Sequence, residues 1–161
     1  MGKNQKGDIY KMLLLLNLPW LLFTWSIFRL QMLLSRENRI DEIVPNRIYI
    51  SSRPLGGFNY NHYDLVVDLT AEFFKDSTNH YICYPNLDGM VLSQNYENIE
   101  IFKKKKVLVH CANGHGRSAL FVARLLVDLE WVKSFEEGLA LVKQCRPLAV
   151  PNGGQMKFQR L

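Results

Sequence analysis

The sequence predicts an α/β domain, a central mixed sheet flanked by helices and preceded by an N-terminal hydrophobic helix. Three observations lead there. Short β-branched runs alternate with segments of helical spacing from residue 47 onward. One of those runs, Val107-Leu-Val-His110, opens with three apolar residues in a row, the pattern of a central strand covered on both faces. Near the start, residues 12–28 carry no charge at all. With 161 residues and 18.8 kDa the chain has room for one sizeable core. Its 48% hydrophobic and 22% charged content excludes wholesale disorder and collagen-like or coiled-coil architectures.

The uncharged run at 12–28 would make about 25 Å of helix, slightly short of the roughly 30 Å hydrocarbon core of a bilayer. Continuing to residue 34 lengthens it and takes in Arg29, which can snorkel toward an interface. Pro19 would kink or interrupt such a helix. Apolar residues lie all round it, which disfavours a simple surface amphipath. No small-residue cleavage site follows Phe28, so the run does not read as a removed signal peptide. Lys6 stands where myristoylation needs Ser or Thr. Residues 1–40 therefore read as a basic, uncleaved membrane anchor and tether, single-pass or peripheral, against an interfacial or protein-buried helix as alternatives. Lys3, Lys6 and Lys11 precede the run and Arg29, Arg36 and Arg39 follow it, so charge leaves its orientation open.

Residues 41–161 read as one domain. Strands are expected over 47–52, ending at Pro54 and the Gly56-Gly57 turn, over 65–69, and over 81–84, closed by Pro85. Helical spacing covers 92–104, ahead of the strand at 107–110. Leu120, Phe121, Leu125 and Leu129 stripe a helix over 118–131. Ser134 with Glu137 matches a capping box opening a helix through 142. Pro147, Pro151 and two glycines break the chain before a last short helix over 155–161. The six bases and two acids of residues 1–40 leave the rest almost neutral, so no nucleic-acid footprint is indicated. Cys83, Cys111 and Cys145 have neither the number nor the spacing of a disulfide framework or a metal site.

The chemistry concentrates in His-Cys-Ala-Asn-Gly-His-Gly-Arg-Ser at 110–118, directly after a buried-type strand and before a helix. Its glycines let successive amide N–H groups converge on one anion, so Ala112, Asn113, Gly114, His115 and Gly116 form a phosphate cradle. The helix that follows adds free N–H groups and the positive end of its dipole. Arg117 supplies a planar fork for two phosphate oxygens, which Lys could not match. The same donors favour an ionised Cys111 sulfur, a nucleophile on the floor of an anion site. Ser118 can donate its hydroxyl to that sulfur and help expel it. His110 is expected to hold the loop through ring hydrogen bonds. Cys83 and Cys145 read as small buried hydrophobes, His115 as a rim or solvent-facing residue, and the run Lys103–106 as a solvated helix end.

This arrangement resembles the protein tyrosine phosphatase superfamily, in particular its small dual-specificity branch, whose signature is His-Cys, five residues, Arg, then Ser or Thr. The likeness extends to residues 46–52, to 67–72 and to Arg146-Pro147, covers about 43–161, and leaves out the anchor. It implies a phosphocysteine mechanism without metal or organic cofactor, and an acid on a loop upstream of the cysteine. Asp88, followed by Gly89, is the match, with Asp76 as fallback and Asp68 as a structural residue. The stretch from Asp88 to Cys111 is shorter than the branch leads one to expect, which calls for a short intervening helix. Some relatives place residues near the attacking water where Asn152 and Gln155 stand.

The resemblance implies phosphotyrosine and phosphoserine or phosphothreonine in proteins as substrates; the anchor suggests instead a membrane phospholipid such as a phosphoinositide or phosphatidylglycerophosphate. The absence of lysine from the cradle speaks against multiply charged lipid heads. A catalytically dead phosphate-binding module is the rival of a different class. Low-molecular-weight and rhodanese-like phosphatases place the motif or its acid differently, and the Gly-Lys-Ser/Thr of a P-loop is missing. An oxidisable thiolate places the domain on the reducing, cytoplasmic side of a membrane. The number of subunits is open.

Overall fold

A computed structural model describes residues 3–4, 6–76, 78, 80–88 and 99–151. Two helices, α1 (Lys11–Leu16) and α2 (Leu18–Leu34), precede five strands: β1 (Ile40–Val44), β2 (Ile48–Ser51), β3 (Leu65–Thr70), β4 (Tyr81–Asn86) and β5 (Val107–His110). Helix α3 (Glu100–Lys104) leads into β5, and α4 (Arg117–Asp128) and α5 (Phe135–Cys145) follow it. The sheet runs in the order β1-β2-β5-β3-β4; β1 is antiparallel to β2 and the other neighbours are parallel, so the sheet is mixed as expected. The apolar run at 107–109 is the middle strand, paired with β2 at Ile48↔Val107 and with β3 at Leu65↔Val107.

Every residue of β3 and β5 is buried. Helix α4 lies against this centre with Leu120, Phe121, Leu125 and Leu126 fully enclosed. It in turn carries α5, and Gly138 permits that approach, since a Cβ there would stand 2.7 Å from the Ala123 carbonyl oxygen. Half of the expected capping box forms: Ser134 Oγ accepts from Glu137 N at 3.2 Å, while the Glu137 carboxylate accepts from Lys133 N, one residue before the cap.

Several expectations need correction. β1 falls where the tether meets the domain, and only Ile43 of its five residues is buried. β4 runs through Pro85 rather than ending there; it is a sheet edge, where the N–H that proline lacks is not needed. The helix over 155–161, residues 92–98 of the expected 92–104 helix, and Asn152 and Gln155 lie outside the described residues.

The largest correction concerns the head. No continuous helix spans residues 12–34: Asn17 separates α1 from α2 and turns its Nδ2 onto the Leu13 carbonyl at 2.8 Å, and Pro19 occupies the first turn of α2, where its missing N–H is harmless. Among the described residues no helix is long and apolar enough to cross a membrane. Instead α2 rests on the domain along one side. Leu21 and Phe28 are buried, the Phe28 ring meets Phe73 at 5.0 Å, and Trp25 Nε1 donates to the Glu72 carbonyl at 2.8 Å.

Candidate active site

The strand–loop–helix unit is where the motif places it. β5 ends at His110, Cys111 is the next residue, and Arg117 opens α4. Cys111 is nearly enclosed, at 3% exposure, and its Sγ accepts a hydrogen bond from Gly114 N at 3.2 Å. The loop curls tightly enough that only glycine fits its middle. Gly114 has φ +76°, and a Cβ there would lie 2.6 Å from the Ser51 carbonyl oxygen. Two further bonds fix the curl from behind: Arg53 N donates to the Ala112 carbonyl at 2.8 Å, and Arg146 Nη2 donates to the Asn113 carbonyl at 3.0 Å.

Arg117 is almost wholly buried, and its guanidinium is held by a partner the sequence reading missed. Glu72 takes one terminal nitrogen on each carboxylate oxygen, Nη2 at 2.6 Å and Nη1 at 3.0 Å, and the Asn86 carbonyl takes Nη1 again at 2.7 Å. A guanidinium has five N–H groups. These contacts occupy the end of the fork and leave Nε–H and a second Nη2–H along its other edge; Nε has no hydrogen-bond acceptor among the described residues. That edge is the one that Glu72 and Asn86 leave uncovered. Burial works against the charge on Arg117, but Glu72, the Cys111 sulfur and Asp88 outweigh it, and its pKa stands above the ordinary value.

A cleft of about 190 Å³ opens over this edge, lined by Cys111, Arg117, Gly116, His115, Asp88 and Val150. Asp88, just beyond β4, is 77% exposed and brings Oδ1 to 3.5 Å from Arg117 Nε. The residue expected from the sequence to be the acid thus borders the cleft that Cys111 lines. Ser118 is fully buried, and its Oγ has no hydrogen-bond partner among the described residues, the Cys111 sulfur included.

His110 does not hold the loop amides. Its buried ring faces Asp76, Nε2 to Oδ2 at 2.7 Å, with Asp68 3.9 Å from Nδ1. The fallback acid, Asp76, is therefore a buried partner of His110 and Arg53 and lies away from the cleft. Asp68 is structural, as read: Lys3 Nζ lies 2.6 Å from it, and Tyr81 and Thr70 donate hydroxyls to it. Burial would raise the pKa of Asp68, but His110, Lys3 and these hydrogen bonds prevail and hold it at about 2. Asp68, Asp76 and His110 could together ligate a metal ion. Lys3 and Arg53 already supply the positive charge those carboxylates need, so the cluster is better suited to bracing β3 and β5.

The rim was also only partly anticipated. Asn113 Nδ2 donates to Gln31 Oε1 of α2 at 2.9 Å, and His115 Nε2 lies 2.6 Å from Glu37 Oε2. Arg146, buried to 2% exposure, ties the Asn113 carbonyl to Asp41 and to the Asn38 carbonyl. The segment read as a tether is thus part of the wall around the phosphate loop.

No family model and no curated protein matches the sequence. Solved structures do match. Human DUSP28 is 17% identical, with TM-score 0.59 over 77% of this chain and 95% of that one. PTPMT1 in complex with PI(5)P is 15% identical, with TM-score 0.63 over 76% and 93%. Tk-PTP in its active form is 21% identical, with TM-score 0.57 over 76% and 94%. The chain shares the fold of these three structures.

Proposed function

We propose that the protein is a cysteine-dependent phosphate-monoester hydrolase. The observation that carries this reading is that Arg117, its guanidinium fixed by Glu72, lines the same cleft as Cys111 and Asp88. A phosphate in the cleft takes N–H donors from Arg117 and the loop. Cys111 Sγ attacks phosphorus in line with the leaving oxygen, forming an S–P bond as the P–O bond breaks. Asp88 gives the leaving oxygen its proton. Water then attacks the phosphocysteine, Asp88 takes back a proton, and the sulfur leaves with help from the Ser118 hydroxyl. The sequence closes in protons and electrons without a metal or redox partner.

Phosphotyrosine and phosphoserine or phosphothreonine in proteins are the proposed substrates. A phospholipid monoester is the second reading, favoured because the rim of the cleft is bonded to the apolar helix α2. A cysteine nucleophile is lost on oxidation, which favours a reducing compartment such as the cytoplasm. The full chain is expected to hydrolyse p-nitrophenyl phosphate in the presence of chelators, whereas a dead phosphate-binding module would show no turnover.

Asp88→Asn is expected to lower turnover of an aryl phosphate with a basic leaving group by about 100-fold. The decline of activity at rising pH should flatten as well. The loss should be much smaller for p-nitrophenyl phosphate, whose phenolate departs without a proton. Equal losses on both substrates would remove Asp88 from the acid's place.

A further inference from the structure

Helix α2 has two different sides. One packs on the domain through Leu21, Trp25 and Phe28. The other leaves Trp20, Leu22, Phe23, Leu30, Leu33 and Leu34 exposed, from 52% to 82%, and α1 extends this surface with Met12, Leu15 and Leu16. Large apolar groups gathered in this way on a folded domain mark an interaction surface rather than ordinary surface scatter.

The charges around the surface indicate its partner. From residue 9 to residue 36 the chain carries Lys11, Arg29 and Arg36, all exposed, and no acid. A second copy of the chain would set the same positive strip against itself. An anionic bilayer complements both features: its acyl boundary takes the side chains and its headgroups take the bases. A spanning mode does not fit, because α1 and α2 are too short and α2 is already committed to the domain on one side.

We infer that α1 and α2 lie in the plane of an anionic membrane surface, with their exposed apolar side chains in the headgroup–acyl boundary. Because Gln31 of α2 bonds Asn113 of the phosphate loop, and Glu37 just beyond it meets His115, this docking holds the cleft beside the lipid headgroups. The inference goes beyond the proposed hydrolase activity and stands without it.

The test is cosedimentation of the full chain with phosphatidylcholine vesicles, with and without phosphatidylglycerol. Binding is expected to be strong on the anionic vesicles and weakened by salt. Trp20 emission should move to shorter wavelength on binding. The double substitution Leu22→Glu, Leu33→Glu should lower vesicle affinity about 100-fold or more, since each exposed leucine gains on the order of 1.5 kcal/mol when removed from water. Arg36→Ala should lose about fivefold on anionic vesicles alone, the worth of one base near such a surface. The double variant should keep its circular dichroism spectrum and its turnover of p-nitrophenyl phosphate, which separates failed docking from failed chemistry. Absence of vesicle binding, or equal binding by wild type and double variant, would overturn the inference. So would a concentration-dependent dimer that buries Trp20 without lipid.

Discussion

Cys111→Ser is expected to abolish turnover, with kcat falling by at least about 10⁴-fold toward the uncatalysed background. The reason is local. The sulfur sits at the end of β5, 3% exposed, and accepts the Gly114 N–H at 3.2 Å. A hydroxyl placed there is slightly smaller and accepts the same bond, so the loop keeps its shape. Serine, however, is not ionised beneath these donors, and without a base at hand it is a poor nucleophile toward phosphorus. The His110 ring, the nearest candidate base in sequence, faces Asp76 and Asp68. The variant should therefore unfold at the wild-type denaturant concentration and still bind vanadate or phosphate while turning nothing over. Steady-state kinetics with chemical denaturation and oxyanion titration separates this outcome from simple misfolding.

Arg117→Lys is the second large effect. It keeps a positive charge beside Cys111 but loses the planar group whose two edges do different work. One edge grips Glu72 through both carboxylate oxygens; the other carries Nε, which Asp88 Oδ1 approaches to 3.5 Å without a hydrogen bond. An ammonium cannot serve both edges at once. kcat/KM is expected to fall about 10³-fold or more, the scale seen when a preorganised donor to a transferring group is removed. Stability should fall too, because Glu72 is left partly unsatisfied in a site only 4% exposed, and breaking one side of a buried pair costs about 3 kcal/mol. Glu72→Gln is expected to reproduce the stability loss with a smaller kinetic one, since Arg117 then keeps its Asn86 contact. An Arg117→Lys enzyme with wild-type kcat/KM would mean that the guanidinium edge is not where phosphate binds.

The legible parts of this molecule were those written in local sequence. β5, the glycine-bearing loop and the start of α4 follow from one continuous stretch, because a buried strand, a tight turn and a helix N-terminus each have near-neighbour signatures. Ser134 as a cap was legible for the same reason. Cys111 and Arg117 follow from the motif and Asp88 from the resemblance, which implies an acid upstream of the cysteine; the structure gathers all three around one cleft.

What escaped was long-range. Glu72 meets Arg117 across 45 positions, and nothing near either residue indicates the other. Arg146 reaches Asp41 and Asn38 across more than one hundred residues. Strand β1 is half-exposed at an antiparallel edge, so its composition resembles a tether more than a core strand. The head was read as one element because its apolar content is continuous. Its two-helix form depends on Asn17 folding back on Leu13, and its place on the domain depends on Trp25 and Phe28 finding Glu72 and Phe73. Hydropathy records how much apolar surface there is; which protein surface covers part of it is a tertiary fact.

Rapid acid quench of the full chain during turnover of a phosphate monoester, followed by mass spectrometry of the peptide bearing Cys111, addresses the mechanism most directly. The expected result is one phosphoryl group on Cys111, present within the first turnover, accumulating in Asp88→Asn when breakdown is slowed, and missing from Cys111→Ser. Hydrolysis that proceeds with Cys111 never phosphorylated, or with the group on another residue, would contradict the account.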